Sequence, residues 1–247
     1  FQPASEYSSA WNGTALDADP ATLVQRLEQA GDLGMGVTAT LAPAATTRNA
    51  DGSFSLTKWK AQVDRYRSLS LGGYVTRKTL YLHNLVEAPR CSECWGGKPI
   101  AWEAVEEMAR YSKAIWPGLP TTVRVAPSAL AKAPVKWSAL DAGWAQYSTP
   151  RGDIRTFLAA EASAAKAEGL GLVAGLNLLD GGGPGTPPMT AAQIREFGTA
   201  MAQYAAVCAM VGWSYDAAHL GQAGVRDALN AVAAVAKGRA AGACAVS

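Results

Sequence analysis

Strand-like and helix-like segments alternate along this chain. Six apolar or β-branched runs are typical of strands, and they cover residues 35–42, 81–86, 121–126, 140–147, 172–179 and 208–214. Helical patterns separate most of these runs, and the clearest helix starts have capping residues at Asp19, Asp153 and Thr190. Because parallel strands need long crossover connections, this alternation predicts an α/β fold with a parallel sheet.

The length of the chain favours one closed unit. The sequence has 247 residues, and (β/α)8 barrels typically contain ~250 residues. Residues 128–137 hold at most a short helical turn, and residues 1–3 are the candidate remnant of a first strand. We therefore predict a TIM-type (β/α) barrel over residues 1–237, irregular and with seven or eight strands, followed by a mobile tail over 238–247. A doubly wound open sheet is the alternative.

Composition and motifs exclude several classes of function. The 22 basic and 20 acidic residues are well mixed, which argues against nucleic acid as a partner. No apolar stretch approaches the ~20 residues of a membrane span. With two histidines, no P-loop and no GxGxxG after a strand, neither a metal centre nor a cofactor is expected. No GxSxG elbow is present either, which disfavours an α/β-hydrolase.

The four cysteines indicate an oxidising compartment. Cys91 and Cys94 lie in a loop rich in proline and glycine, where a local disulfide is preferred over a zinc site or a redox-active pair. Cys208 and Cys244 either form a second bridge that ties down the tail or remain unpaired. We expect a secreted or extracytoplasmic protein. The start at Phe1 instead of Met is compatible with removal of a signal peptide.

Three carboxylates close predicted strands, namely Glu87, Asp180 and Asp216. In parallel α/β folds the C-terminal ends of the strands meet at one edge, where ligands bind and catalysis takes place. Glycoside hydrolysis needs two acids at such a site, one protonated and one ionised. The sequence thus predicts Glu87 as one catalytic acid, with Asp180 or Asp216 as the second.

Other strand-end residues have the chemistry of a sugar-binding site. Aromatic faces pack on the C–H patches of sugars, and amides and charged groups bond their hydroxyls. The predicted substrate-binding residues are His83, Arg124, Trp144, Gln146, Tyr147, Asn177, Trp213 and Tyr215. Because His83 lies four residues before Glu87 in one run, both side chains are predicted to point into the barrel.

Each of these residues also has a structural interpretation. Glu87 could form an ion pair with Arg124, and Asp180, which precedes three glycines, could form an Asx turn. Asp216 could cap a short turn that leads to His219. His83 and the tryptophans could simply be part of the core.

Several runs together resemble glycoside-hydrolase-like TIM-barrel domains of secreted bacterial proteins. They are His83-Asn-Leu-Val-Glu87-Ala-Pro, Trp95-Gly-Gly-Lys-Pro, Val123-Arg-Val, Trp144-Ala-Gln-Tyr147, Gly175-Leu-Asn-Leu-Leu-Asp-Gly-Gly182 and Trp213-Ser-Tyr-Asp216. The resemblance covers most of the chain and keeps the order of the motifs. One departure is visible: an Asp-Glu-Pro-like end is expected for the 81–86 run, and this chain has Val86-Glu87-Ala88-Pro89.

This resemblance implies an extracellular protein directed at a polysaccharide. We predict that it cleaves a polysaccharide or oligosaccharide, with Glu87 as the general acid. Such proteins often carry immunoglobulin-like modules, so additional extracellular domains are expected as partners. The loss of an acid beside Glu87 weakens any two-acid arrangement confined to that strand. A catalytically silent barrel that binds carbohydrate or serves in surface assembly is the alternative function.

Overall fold

The computed structural model describes residues 13–16, 19–180, 187–213, 216–238 and 244, of which 13–16 and Trp213 are described by their backbone alone. Parts of several predictions lie outside these ranges. They include the remnant strand at residues 1–3, Tyr215 and most of the predicted tail.

Seven parallel strands form one sheet in which strand order follows chain order. They are β1 (Gly13–Leu16), β2 (Gly36–Ala39), β3 (Leu80–Asn84), β4 (Thr121–Val123), β5 (Ala142–Tyr147), β6 (Gly171–Asn177) and β7 (Val207–Trp213). The register shifts between Val37 and Thr38 and again between Leu172 and Val173.

Helices connect the strands. They are α1 (Pro20–Asp32), α2 (Leu56–Asp64), α3 (Gly72–Thr76), α4 (Trp102–Ile115), α5 (Pro127–Leu130), α6 (Ile154–Ala167), α7 (Ala191–Gln203), α8 (Ala217–Leu220) and α9 (Ala223–Lys237), with 3₁₀ turns at Ala44–Thr46, Glu93–Trp95 and Thr149–Arg151. The predicted caps are confirmed: Asp19, Asp153 and Thr190 each accept a hydrogen bond from the first turn of a helix.

The α/β class and the parallel sheet are confirmed, whereas a closed barrel is not. The sheet curls in the manner of a TIM-type barrel. Among the described residues, however, no pairing joins β7 to β1, so the sheet is open.

The two faces of the sheet have different surroundings. Thr122 pairs with Asn84 on one side and with Ala142 on the other. Paired residues of neighbouring strands project to the same face, as does every second residue along a strand. Asn84, Thr122, Ala142, Trp144 and Gln146 therefore share one face.

The opposite face packs against the helices. His83 contacts Ser112 of α4, and Tyr147 packs on Phe157 of α6 and Phe197 of α7. The face that carries Asn84 and Gln146 is thus turned away from the helices, and we call it the inner face.

Two disulfides are present. Cys91–Cys94 closes the predicted local loop, and Cys208–Cys244 ties the C-terminal segment to β7. Cys244 packs with Leu82, Ala142 and Trp144 in a small apolar cluster. Disulfides are typical of oxidising compartments, so the pair fits an extracytoplasmic location.

Candidate functional site

The candidate site lies at the C-terminal edge of the inner face, beyond the end of β3. The strand ends at Asn84, so Glu87 lies three residues further along in a loop. Glu87 meets Arg124, which directly follows β4, and the two neighbouring strands thereby bring the two charges together.

Both oxygens of Glu87 have partners. Asn84 Nδ2 donates to Oε1 and also reaches Thr40 Oγ1 at 3.3 Å. Oε2 lies 2.5 Å from Arg124 Nε as an ion pair, without the alignment of a hydrogen bond. The side chains of Glu87 and Arg124 remain 34% and 25% exposed. The side chain is therefore held in place and stays partly exposed, although Oε2 itself is buried.

Two buried tryptophans hold the backbone on either side of Glu87. Trp59 Nε1 donates to the carbonyl of Leu85 at 2.8 Å, and Trp95 Nε1 donates to that of Ala88 at 3.1 Å. Ala88 has a φ of +42°, which is uncommon for a residue other than glycine. Sequence reasoning did not assign this role to either tryptophan. The only sequence signal for this role is that Trp95 follows Glu87 in the loop that holds Cys91 and Cys94, which we call the cysteine loop.

The cysteine loop packs against the turn at residues 49–53. Gly96 adopts a φ of +61°, and a Cβ at this position would lie 2.6 Å from the Asp51 carbonyl oxygen. Only glycine allows this close approach, which fixes the wall of the site beside Trp95.

Asp180 has a structural environment. It is buried, and its carboxylate accepts hydrogen bonds from the amide of Thr149, at 2.6 Å, and from the Thr149 hydroxyl. It adopts a φ of +49°. The carboxylate thus joins the segment after β6 to the loop after β5. The Asx turn predicted as its alternative involves residues 181–183, which lie outside the described ranges.

Asp216 caps α8, where its Oδ1 accepts from the amide of His219 at 2.7 Å. The predicted short turn is confirmed. Asp216 is only partly buried, so its second oxygen can still take part in chemistry while the first caps the helix.

Trp144 and Gln146 form a polar pair on the inner face. Trp144 Nε1 donates to Gln146 Oε1 at 3.0 Å, while Gln146 Nε2 is buried and has no hydrogen-bond partner in the described part of the chain. Gly175 of β6 lies directly against both side chains, and a Cβ there would overlap with Gln146 Oε1 and Trp144 Nε1. This glycine makes room for the pair.

Two predicted substrate-binding residues lie on the helix-facing side. His83 is fully buried, stacks on Trp59 and contacts Ser112 Oγ at 2.8 Å. Burial lowers the pKa of its imidazole to about 3. The Tyr147 hydroxyl donates to the Gly152 carbonyl at 2.7 Å, and burial raises the pKa of this phenol.

The remaining predicted residues are on the last two strands. Asn177 pairs through its backbone with Trp213, at the C-terminal ends of β6 and β7. The Trp213 side chain and Tyr215 lie outside the described part of the chain. The structure therefore brings Glu87, Asn84 and Arg124 together and places Trp144 with Gln146.

Within the described ranges, no three His, Cys, Asp or Glu side chains come close enough to hold a metal ion. No helix in these ranges is long and apolar enough to cross a bilayer.

Comparison with known proteins gives structural similarity alone. No protein-family model and no curated protein matches the sequence. The fold is similar to that of a cellulase solved as an inhibitor complex, over 94% of this chain and 84% of that chain, with a TM-score of 0.60 and 14% identity. It is also similar to a putative alpha-L-fucosidase from Bacteroides thetaiotaomicron, over 87% of this chain and 72% of that chain, with a TM-score of 0.55 and 15% identity. The chain has a glycoside-hydrolase-like fold.

Proposed function

We propose that this protein is a secreted glycoside-hydrolase-like enzyme that cleaves a polysaccharide or oligosaccharide at the C-terminal edge of its inner face. The observation that carries this proposal is the environment of Glu87. The side chain of Glu87 is partly exposed, ion-paired with Arg124 and supported by Asn84 on the edge where parallel α/β folds carry active sites.

In this proposal Glu87 is the acid that protonates the leaving glycosidic oxygen. Proton transfer by a positioned side chain contributes about 10²- to 10⁴-fold to the rate, provided that the group is held within reach of the reacting atom. The indoles of Trp59 and Trp95 and the amide of Asn84 supply this positioning. Arg124, Gln146 and Asn177 would orient the substrate, and Trp144 and Trp213 would stack on it.

Asp216 is the better candidate for the second carboxylate. Both oxygens of Asp180 accept hydrogen bonds from Thr149 in a buried setting, so Asp180 would have to lose these bonds before it could react. Asp216 has one oxygen committed to the cap of α8 and is partly exposed.

The test is turnover on a panel of polysaccharides by wild-type protein and the Glu87→Gln variant. Glutamine keeps the shape of the side chain and removes the acid, so turnover should fall by about 10²- to 10⁴-fold. Glu93→Gln is the matched control, because Glu93 is an exposed acid in the neighbouring cysteine loop. Unchanged turnover by Glu87→Gln would remove Glu87 from the mechanism.

The choice of second acid is tested by asparagine variants. Asparagine is a good helix N-cap and tolerates a positive φ, so both Asp216→Asn and Asp180→Asn should fold. We expect Asp216→Asn to lose turnover and Asp180→Asn to retain most of it. The reverse order would assign the second acid to Asp180.

A non-catalytic carbohydrate-binding module is the second candidate function. It is favoured by the fact that all three strand-end carboxylates already have partners within the protein. It predicts that wild-type protein binds sugars but releases no product from any of them.

A further inference from the structure

Two side-chain amides on the inner face, Asn84 and Gln146, each have one polar atom without a partner. Both Asn84 Oδ1 and Gln146 Nε2 are buried and form no hydrogen bond with the described residues. Asn84 is only 2% exposed. Buried polar groups in native proteins are nearly always bonded, and each exception calls for an explanation.

The orientation of each amide is fixed by the chemistry of its neighbour. The indole N–H of Trp144 can only donate, so the oxygen of Gln146 must face it and the NH₂ group must point elsewhere. The carboxylate of Glu87 is an acceptor, so the NH₂ group of Asn84 faces it and the oxygen is left over. The inner face therefore offers one unused acceptor and one unused donor.

These two atoms lie on the same side of the sheet as the Glu87–Arg124 pair. Asn84 itself bonds to Glu87, and Gln146 is on β5, next to the strand that Arg124 follows. The carboxylate and the guanidinium are 2.5 Å apart and balance each other. The Glu87–Arg124 pair therefore presents no net charge to a ligand.

We propose that the inner face recognises a neutral, hydroxyl-rich sugar, with Asn84 Oδ1 accepting from one hydroxyl and Gln146 Nε2 donating to another. This inference rests on the proposed function and specifies its substrate class. A hydroxyl both donates and accepts, so sugar hydroxyls complement a carbonyl oxygen and an amide NH₂ alike. Since neither protein atom is already bonded, the ligand gains these hydrogen bonds without breaking others.

The unused oxygen of Asn84 disfavours acidic sugars. A uronate carboxylate is an acceptor that must be desolvated, and Asn84 Oδ1, also an acceptor, would repel it. The guanidinium that could compensate is already paired with Glu87. Gly175 leaves the space that Gln146 occupies, because a Cβ at this position would overlap with Gln146 Oε1 and Trp144 Nε1.

The experiment is calorimetric titration of wild-type protein with matched neutral and uronate oligosaccharides, galactose against galacturonate and glucose against glucuronate. We expect a neutral series to bind at least about tenfold more tightly than its uronate counterpart. Gln146→Glu keeps the acceptor for Trp144 but removes the donor, so affinity for the neutral sugar should fall by about tenfold or more. The control is Gln29→Glu, an exposed site on α1 that should bind as wild type.

Several outcomes separate this inference from the proposed function. Equal or tighter binding of a charged oligosaccharide by wild-type protein would overturn the inference and needs no variant to fold. A folded Gln146→Glu variant with wild-type affinity would overturn it as well, and neither result bears on Glu87 as the acid. Unchanged turnover by Glu87→Gln would overturn the reaction but not the sugar preference. A wild-type protein that binds no sugar would contradict both.

Discussion

The N-terminal ends of β4 and β5 and the C-terminal edge of the same sheet satisfy their polar groups to different extents. At the N-terminal ends, buried Glu106 accepts from the amides of Ser138, Ala139 and Leu140 and from the Ser138 hydroxyl. Buried Asp141 accepts from the amide and hydroxyl of Thr121 and from Lys113. At the C-terminal edge, Glu87 is half-exposed, and Asn84 and Gln146 each keep an unused atom.

This difference distinguishes acids that stabilise the fold from acids that are available to react with a ligand. Glu106 and Asp141 have their oxygens saturated by nearby donors, so little capacity is left for a ligand. Glu87 is positioned just as firmly, but by groups that leave one side open to solvent. Variants at the two ends of the strands should therefore affect different quantities, stability at one end and ligand chemistry at the other.

The largest effect on stability is expected at Glu106. Glu106→Ala leaves three backbone amides without their acceptor, two of them buried, which should lower the free energy of unfolding by about 3 kcal/mol or more. Sugar affinity of the remaining folded protein should not change. Urea unfolding measures the first quantity, and calorimetric titration measures the second.

Its control is the next residue of the same helix. Glu107 is partly exposed and pairs with Lys60 and Arg110, so Glu107→Ala should cost no more than about 1 kcal/mol. If Glu106→Ala and Glu107→Ala lower the free energy of unfolding by similar amounts, Glu106 has no special role in stability.

The second effect is a pH dependence from His83. Burial lowers the pKa of this imidazole to about 3 in the folded protein, against about 6.5 in an unfolded chain. Between these values the unfolded state binds a proton that the folded state does not, so stability falls as the pH falls. At pH 5 the loss relative to neutral pH should be about 2 kcal/mol.

A His83→Gln variant isolates this contribution. Its free energy of unfolding should depend less on pH between 6.5 and 5 than that of wild type, whatever its stability at pH 7. The free energy of unfolding is measured by urea unfolding at the two pH values. If it changes by the same amount in the variant and in wild type, His83 is not responsible.

The third effect is expected at Gly175, on the inner face, where one substitution should affect both stability and sugar binding. In Gly175→Ala the added methyl group overlaps with Gln146 and Trp144, which should destabilise the fold by about 1–3 kcal/mol. It should also weaken sugar binding, because Gln146 must move. Gly73→Ala is the control, since a Cβ at Gly73 meets no atom within 4 Å. Unchanged affinity for Gly175→Ala would mean that the position of Gln146 is unimportant.

The smallest expected effect on stability is at Trp95. Trp95→Phe keeps a ring against Phe54 but removes the hydrogen bond to the Ala88 carbonyl, at a cost of about 1 kcal/mol. If this bond positions Glu87, kcat should fall more than KM rises. Steady-state kinetics test this, with Trp102→Phe as a control on α4, and a change in KM alone would argue against positioning.

The class of fold could be read from the sequence because it depends on local signals. Capping residues such as Asp19, Asp153 and Thr190 fix helix starts through bonds within one turn. The alternation of strands and helices then dictates a parallel sheet. Closure of the sheet depends on pairing between β1 and β7, at opposite ends of the chain, and no local pattern encodes that pairing.

The direction of side chains on β3 could not be read. Leu80, Leu82, His83 and Asn84 are all buried, because this parallel strand is covered on both faces. The strand has no alternation of polar and apolar residues. The spacing of four residues between His83 and Glu87 therefore predicted that both side chains lie on the same face. The strand ends before Glu87, so this spacing does not apply, and Asn84 is the residue that reaches Glu87.

The site itself was partly predictable. The ion pair between Glu87 and Arg124 and the cap formed by Asp216 were both recognised as alternatives from the residues alone. The roles of Trp59, Trp95 and Gly175 were not, since each depends on a contact between residues distant in sequence. The second disulfide belongs to the same group, because 36 residues separate Cys208 from Cys244.

The most direct test of the central claim compares Glu87→Gln with Glu93→Gln in turnover of a polysaccharide that wild-type protein cleaves. If the C-terminal edge carries the chemistry, the first variant loses about 10²- to 10⁴-fold in kcat and keeps its melting temperature, while the second matches wild type. Equal turnover by the two variants would contradict the assignment of Glu87 as the catalytic acid.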